Sequence, residues 1–240
     1  MSPTRIPGNL ILKNGWIIAK DEKNPVDPYF SNVSLLLHGD GTNGSTTIVD
    51  SSPSPKTVTA VGNAQISTAQ SKFGGASLAF DGNGDYLTVP DNADYAFGAA
   101  DFTLEAWVYF GNLTDYSTIA STRDANNSLT GWTLGVDVSE QPYFYTNGFD
   151  IIGNALAQNT WHHIAMARAG SSLRMYVNGM QVGSTFPDTK NYTNQTLAIG
   201  SVVGGPQQLF NGYIDDLRIT KGVARYTSNF TPPTAPFPDF

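Results

Sequence analysis

An all-β chain, folded as a two-sheet antiparallel sandwich, is what two features of this sequence predict. The first is the choice of acidic residue: of 240 residues seventeen are Asp and three are Glu (Glu22, Glu105 and Glu140), alongside 24 Gly and 14 Pro. Asp, Gly and Pro favour turns, whereas Glu populates helix surfaces. The second is period-two alternation of apolar and polar residues, which places every other side chain on one face of a strand.

In chain order the alternation, sometimes imperfect, marks strands at Thr57–Val61, Ala76–Phe80, Tyr86–Val89 and Phe102–Phe110. It continues at Trp132–Val138, Tyr143–Thr146 and Trp161–Arg168, and then at Leu173–Val177, Leu197–Gly200 and Tyr213–Thr220. Turn clusters separate the runs: Asp81-Gly-Asn-Gly, Gly170-Ser-Ser, Asn178-Gly179 and Gly204-Gly-Pro. Asn178-Gly179 can visit positive φ at little steric cost and so closes a two-residue hairpin. Within the fourth run Phe102, Leu104, Ala106 and Val108 point one way, and Thr103, Glu105 and Trp107 the other, giving a core face and an amphipathic face. No window of about 11 residues carries a clean helical stripe. Many short strands with turns between them call for a sandwich or barrel.

The sandwich is expected over residues 31–231, with an anchoring arm at 1–30 and a Pro-rich tail at 232–240. Four prolines (Pro3, Pro7, Pro25, Pro28) fall in the first segment and four (Pro232, Pro233, Pro236, Pro238) in the last. Proline fixes φ and donates no hydrogen bond, so the tail reads as extended and polyproline-like. Charged residues make up 14% of the chain, below the usual ~25%, and apolar residues 40%, so a disordered polyelectrolyte is excluded. The net charge of −7 and the lack of any basic run argue against nucleic acid as a partner. With no cysteine, a metal would need oxygen or imidazole ligands. The N-terminal apolar runs Leu10–Leu12 and Trp16–Ala19 are too short for a signal-peptide core or a membrane span, so neither secretion by that route nor a membrane partner is expected.

Several stretches, in this order, resemble the laminin-G-like branch of the concanavalin A-like lectin/glucanase superfamily. They are Leu35-Leu-Leu-His-Gly-Asp-Gly41, Phe80-Asp-Gly-Asn-Gly-Asp-Tyr-Leu-Thr-Val-Pro90 and Asp101-Phe-Thr-Leu-Glu-Ala-Trp-Val108. Next come Trp161-His-His-Ile-Ala-Met-Ala-Arg168, Leu173-Arg-Met-Tyr-Val-Asn-Gly179 and Phe210-Asn-Gly-Tyr-Ile-Asp-Asp-Leu-Arg-Ile219. The resemblance implies a jelly-roll sandwich. Gly222-Val-Ala-Arg-Tyr-Thr-Ser-Asn-Phe-Thr-Pro-Pro-Thr234 further resembles the version of this domain found in structural proteins of tailed bacteriophages.

Four chemistries were weighed on the residues. A glycosidase needs two carboxyl groups facing one another, and no Glu-x-Asp-x-Glu pattern is present; Glu105 is expected as a strand-face residue paired with Arg168 or Arg174. A Ser-His-Asp hydrolase lacks its Gly-x-Ser-x-Gly elbow, and the adjacent His162 and His163 should face opposite ways, one in the core and one in solvent. Calcium fits Asp-rich turns, with Asp40–Gly41, Asp81/Asp85 and Asp215/Asp216 as candidates. The resemblance singles out Asp40 and Asp216 as a calcium pair near the first and last strands, whereas Asp81 and Asp85 read as Asx-turn builders. Glycan binding would use aromatic faces on exposed turns, and Trp132, Tyr143, Tyr145 and Tyr192 are its candidates; Tyr143 and Tyr145 share a face with Phe144 turned inward.

These readings converge on a non-enzymatic virion protein of a tailed phage, a tail fibre or a capsid decoration. It would be made in the host cytoplasm, be held to other virion proteins by its arms, be homo-oligomeric, and contact cell-surface glycans weakly through many copies. A free carbohydrate-binding module or lectin is the alternative.

Overall fold

The computed structural model describes residues 4–6, 10–13, 16–20, 26–124, 130–146 and 148–240, the first three stretches as backbone strands only. The described strands, in chain order, begin with β1 (Thr4–Ile6), β2 (Leu10–Lys13), β3 (Trp16–Lys20), β4 (Val33–Leu37), β5 (Thr47–Ile48) and β6 (Val58–Val61). Then come β7 (Gln65–Ser67), β8 (Ser77–Asp81), β9 (Tyr86–Val89), β10 (Phe102–Phe110), β11 (Ser117–Ser121), β12 (Thr133–Val136) and β13 (Pro142–Tyr145). The last are β14 (Phe149–Ile152), β15 (His162–Ala169), β16 (Ser172–Val177), β17 (Met180–Pro187), β18 (Leu197–Ile199) and β19 (Asn211–Lys221). All ten strands expected from alternation are present within a few residues of their expected bounds. The segment expected as a bare arm instead contains a three-stranded antiparallel meander, β1-β2-β3.

Two eight-stranded antiparallel sheets build the sandwich. The first runs β17-β16-β15-β10-β19-β8-β7, with β4 also paired to β19; the second runs β14-β13-β12-β11-β18-β9-β6-β5. Their inner faces share one core, in which β10 contributes Phe102, Leu104, Ala106, Val108 and Phe110, and β19 contributes Ile214, Leu217 and Ile219. Asn178 and Gly179 take φ values of 49° and 78°, so the β16–β17 hairpin turns as expected.

The outer face of the first sheet is buried too, which alternation alone does not foretell. After β19 the chain returns across it: Tyr226 and Phe230 stack on one another and pack on Ala165, Ala167 and Tyr176, while Phe237 packs with Val33, Leu36 and Phe30. Gly179 makes room for this return. A Cβ there would come within 2.0 Å of the Phe230 carbonyl oxygen, whose own N–H donates to the Gly179 oxygen. The Pro-rich tail is therefore docked in cis.

Beneath the tail lies a buried ionic network seeded by strand register. Glu105 and Arg218 are directly opposed on β10 and β19, and Arg218 donates to Glu105 Oε1 through Nε at 3.0 Å and Nη2 at 2.7 Å. Its Nη1 reaches Asp27 Oδ2 at 3.1 Å, and Arg225 clamps both oxygens of Asp27. Tyr226 donates its hydroxyl to Glu105 Oε2, the Phe237 ring covers the Arg218 guanidinium at 3.7 Å, and the Asp27 N–H donates to the Phe240 carbonyl. The expected partner Arg168 is engaged elsewhere, with Asp188 at 3.1 Å, and β10 and β19 meet in a register that puts Arg218, not Arg174, opposite Glu105. Burial alone would raise the Glu105 carboxyl, but Arg218, then His163 and Arg225, more than reverse this and hold it at about 2.

Because that value lies below the ordinary 4.5, the network's stabilisation is complete above roughly pH 4.5 and drains away as pH falls toward 2. Glu105→Gln is expected to lose about 3 kcal/mol of unfolding free energy near neutrality, since it leaves buried guanidinium charge short of a partner. It should also flatten the loss of stability below pH 4.5. Urea titrations across that range check both, and an unchanged neutral midpoint contradicts the network.

Candidate functional site

On the outer face of the second sheet, at its β14 end, aromatic side chains gather. On β11–β13 the alternation sends Ile119, Leu134, Val136 and Phe144 into the core. It leaves Gly135, Tyr143 and Tyr145 on the opposite face. Tyr143 lies opposite Gly135 in the ladder and its ring folds across the glycine: a Cβ there would sit 2.7 Å from Tyr143 Oη and 2.6 Å from the Ser117 carbonyl oxygen. Tyr116 and Phe149 complete a ring cluster. Phe149 makes edge contacts with Tyr143 and Tyr145, both at 5.3 Å, and stacks on Tyr116 at 5.8 Å.

A cavity of about 210 Å³ opens among these rings and is closed by Arg123 and Gln208. The Arg123 guanidinium lies 4.7 Å from the Tyr145 ring centre, donates through Nη2 to Gln208 Oε1 at 3.1 Å, and through Nε to Thr133 Oγ1 at 3.2 Å. Gln208 takes a φ of 53°, in the left-handed region that few side-chain-bearing residues occupy, and its carbonyl accepts the Thr118 N–H. Ladder register shifts between Thr118 and Ala120 and again between Phe144 and Tyr145, so both strands flanking the cavity are irregular. The Tyr143 and Thr118 hydroxyls are neighbours, yet neither makes a well-formed hydrogen bond, and burial pushes the Tyr143 phenol well above its ordinary range. Gln208 also lines an adjoining polar cavity of about 430 Å³ with Thr114, Asp115, Gln207 and Asn211.

Of the four aromatic candidates, Tyr143 and Tyr145 line one cavity, with Phe144 inward as expected, but Tyr143 is buried beneath its neighbours rather than exposed as expected. Trp132 and Tyr192 do not. Trp132 is fully buried, its ring stacked between Phe97 and Phe144. Tyr192 is held inside because its hydroxyl donates to Asp188 Oδ2 at 2.9 Å and its ring faces the Arg168 guanidinium, so a buried ion pair has captured a residue expected in solvent. Tyr116, Arg123, Phe149 and Gln208 were not singled out by pattern. They sit in stretches without alternation and meet only through the fold.

The acidic and histidine candidates have structural engagements. Asp81 and Asp85 build the β8–β9 turn, Asp81 accepting the Asn83 N–H and Asp85 those of Asn63 and Asp81. Asp216 occupies a bulge in β19 at φ 50°; its Oδ1 meets His38 Nδ1 at 2.5 Å and its Oδ2 accepts the Phe237 N–H at 2.7 Å. Burial opposes protonation of His38, but the bond to Asp216 outweighs it and raises His38 above its ordinary range. Asp215, desolvated and near Asp216 and Asp40, is pushed up to about 7 although the Lys72 and Phe73 N–H groups donate to it. Both oxygens of Asp216 already have protein partners, and no group of three or more His, Asp or Glu among the described residues is placed to hold a metal. His162 and His163 are both buried, against the expectation that one faces solvent. His162 bonds the Ala157 carbonyl, and His163 lies 3.3 Å from Glu105 beneath Phe230 and Phe237.

Stripping divalent cations with EDTA is accordingly expected to move the melting temperature by less than about 1 °C. Stabilisation by several degrees on adding calcium would place a cation at these carboxylates after all.

A family model described as the concanavalin A-like lectin/glucanases superfamily matches residues 81–225, more than half of the chain. Among curated proteins no sequence match is found. The structure is similar to the binding domain of Paraclostridial Mosquitocidal Protein 1 (TM-score 0.61, 16% identity), covering 81% of this chain and 50% of that one. It is also similar to Domain 4 of AbnA, a GH43 extracellular arabinanase from Geobacillus stearothermophilus, in complex with arabinotriose (TM-score 0.57, 20% identity; 80% and 94% covered). A third is the binding domain of Botulinum Neurotoxin DC in complex with SialylT (TM-score 0.57, 18% identity; 81% and 49% covered). The chain thus spans about half the length of the two toxin binding domains and nearly all of the arabinanase domain. At these identities the likeness establishes the fold.

Proposed function

Because the chain belongs to the concanavalin A-like lectin/glucanases superfamily, we propose that it is a non-catalytic glycan-binding module whose site is the aromatic cavity on the outer face of the second sheet. The observation that carries this reading is the convergence of Tyr116, Tyr143, Tyr145 and Phe149 on a cavity closed by Arg123 and Gln208. Aromatic faces accept the C–H faces of sugar rings, while a carboxamide and a guanidinium orient hydroxyl groups. The adjoining polar cavity continues the surface past Gln208, so more than one sugar unit can be accommodated. The arabinotriose held by one similar domain and the SialylT held by another support the same reading.

Absence of catalysis is read from the acids. Glycosidic cleavage takes two opposed carboxyl groups, whereas the described lining of the aromatic cavity contributes none, and both oxygens of Glu105 are engaged under the tail. For the setting we infer a tailed-phage particle, on the resemblance of Gly222–Thr234, with weak glycan contacts multiplied by copy number. A free carbohydrate-binding module is the alternative. The two differ in one observable: in the virion reading residues 1–30 resist protease on purified particles and are cut in the free chain, whereas a free module is absent from particles.

The site itself is tested by a glycan array on the full chain followed by titration of the best ligand. Phe149 is 45% exposed, so Phe149→Ala should leave the melting temperature nearly unchanged while weakening binding about tenfold. No glycan signal, or undiminished affinity in the variant, overturns the assignment.

A further inference from the structure

Resting on the glycan reading, we propose that the saccharide taken by this cavity carries a carboxylate, and that Arg123 reads it. Arg123 is half-buried, and three other arginines whose side chains see little solvent show how the chain handles such groups. Arg168 pairs with Asp188, Arg218 with Glu105 and Asp27, and Arg225 with Asp27. A guanidinium removed from water needs a counter-charge, and those three have one. Arg123 makes no ion pair among the described residues; the groups it touches, Thr133 Oγ1, Gln208 Oε1 and the Tyr145 ring, are all neutral.

Those contacts also set the orientation of the group. Thr133 Oγ1, which takes the Nε bond, is itself hydrogen-bonded to Ser121 Oγ at 2.9 Å, and Gln208 is held by its left-handed backbone and the Thr118 N–H. Among the described residues the guanidinium is thus tied at one edge with two of its five N–H groups engaged, and it borders the same cavity as the four rings. A planar fork with unused parallel donors matches a carboxylate in two-point geometry, which a neutral sugar hydroxyl cannot offer. Acids on the neighbouring segments are otherwise occupied: Asp124, next to Arg123 in the chain, is itself engaged, Asp137 accepts the Ser139 and Gln141 N–H groups, Asp150 is paired with Lys190, and Asp115, which accepts the Tyr116 N–H, lines the adjoining cavity instead. With a net charge of −7 the chain repels anions at long range, so the preference is a contact effect that survives a physiological Debye length of about 8 Å.

Uronic and sialic acids share this chemistry, and matched pairs separate them. The full chain is profiled at physiological salt on oligosaccharides bearing a uronate or a sialate, each beside its neutral parent. Binding at least about tenfold stronger to one acidic series than to its parent is expected, and the ratio should fall to near one in Arg123→Met. Should that variant not melt cooperatively, Arg123→Lys, which keeps the charge without the fork, should lower the ratio severalfold. Equal binding of acid and parent, or a ratio untouched by either variant, overturns the inference while leaving the glycan site standing. Silence toward every glycan, neutral and acidic, overturns the site and this inference together.

Discussion

The cross-strand contact between Arg218 and Glu105 is the constraint on which the rest of the first sheet depends. Two charges taken out of water between β10 and β19 are tolerable only where further polar partners surround them, and the chain supplies such partners from both ends of the domain. Asp27 enters from before the first sandwich strand, and Tyr226 and Phe237 from after the last. One strand register therefore decides where both flanks of the domain lie. Docking the C-terminal segment in turn covers His163 and Tyr176, side chains on a sheet face that would otherwise be wet.

The two outer faces consequently have different uses. That of the first sheet is occupied by the chain's own C-terminal segment, held by charge, ring stacking and the absence of a Cβ at Gly179. That of the second sheet keeps a group of aromatic rings at its β14 end, two of whose ladders are bulged and one of whose lining residues is held at positive φ. Irregular backbone beside a ring cluster is costly for stability, and its presence at one place on an otherwise regular sheet supports the assignment of binding to that place. Gly135 has a similar meaning: it weakens β12 but lets the Tyr143 ring lie flat across it.

Arginine placement separates structure from recognition in the same way. Arg168, Arg218 and Arg225 close buried networks with carboxylates, and each holds distant parts of the chain together. Among the described residues Arg123 is tied to neutral acceptors, and it stands at the edge of a cavity. The same side chain serves as a clasp where a carboxylate faces it, and in the proposed site as a reader of ligands.

What the sequence determined by itself was whatever depends on neighbours along the chain. The all-β class, the ten alternating strands, the Asn178-Gly179 hairpin, the Asx turn at Asp81, and the shared face of Tyr143 and Tyr145 all follow from spacings of a few residues; Asp85, expected to build one too, instead accepts the N–H groups of Asn63 and Asp81. Strands such as Ser117–Ser121, buried on both sides and without alternation, carry no such signal. Register, burial and the meeting of remote segments needed the tertiary structure. Only there does Glu105 face Arg218 rather than Arg168, do Trp132 and Tyr192 turn into the core, does Asp216 give both oxygens to His38 and Phe237, and do Arg123 and Gln208 come within 3.1 Å although they lie 85 positions apart in the chain. A period of two says which side chains share a face, but not which face meets solvent, because that is decided by what later returns to cover it.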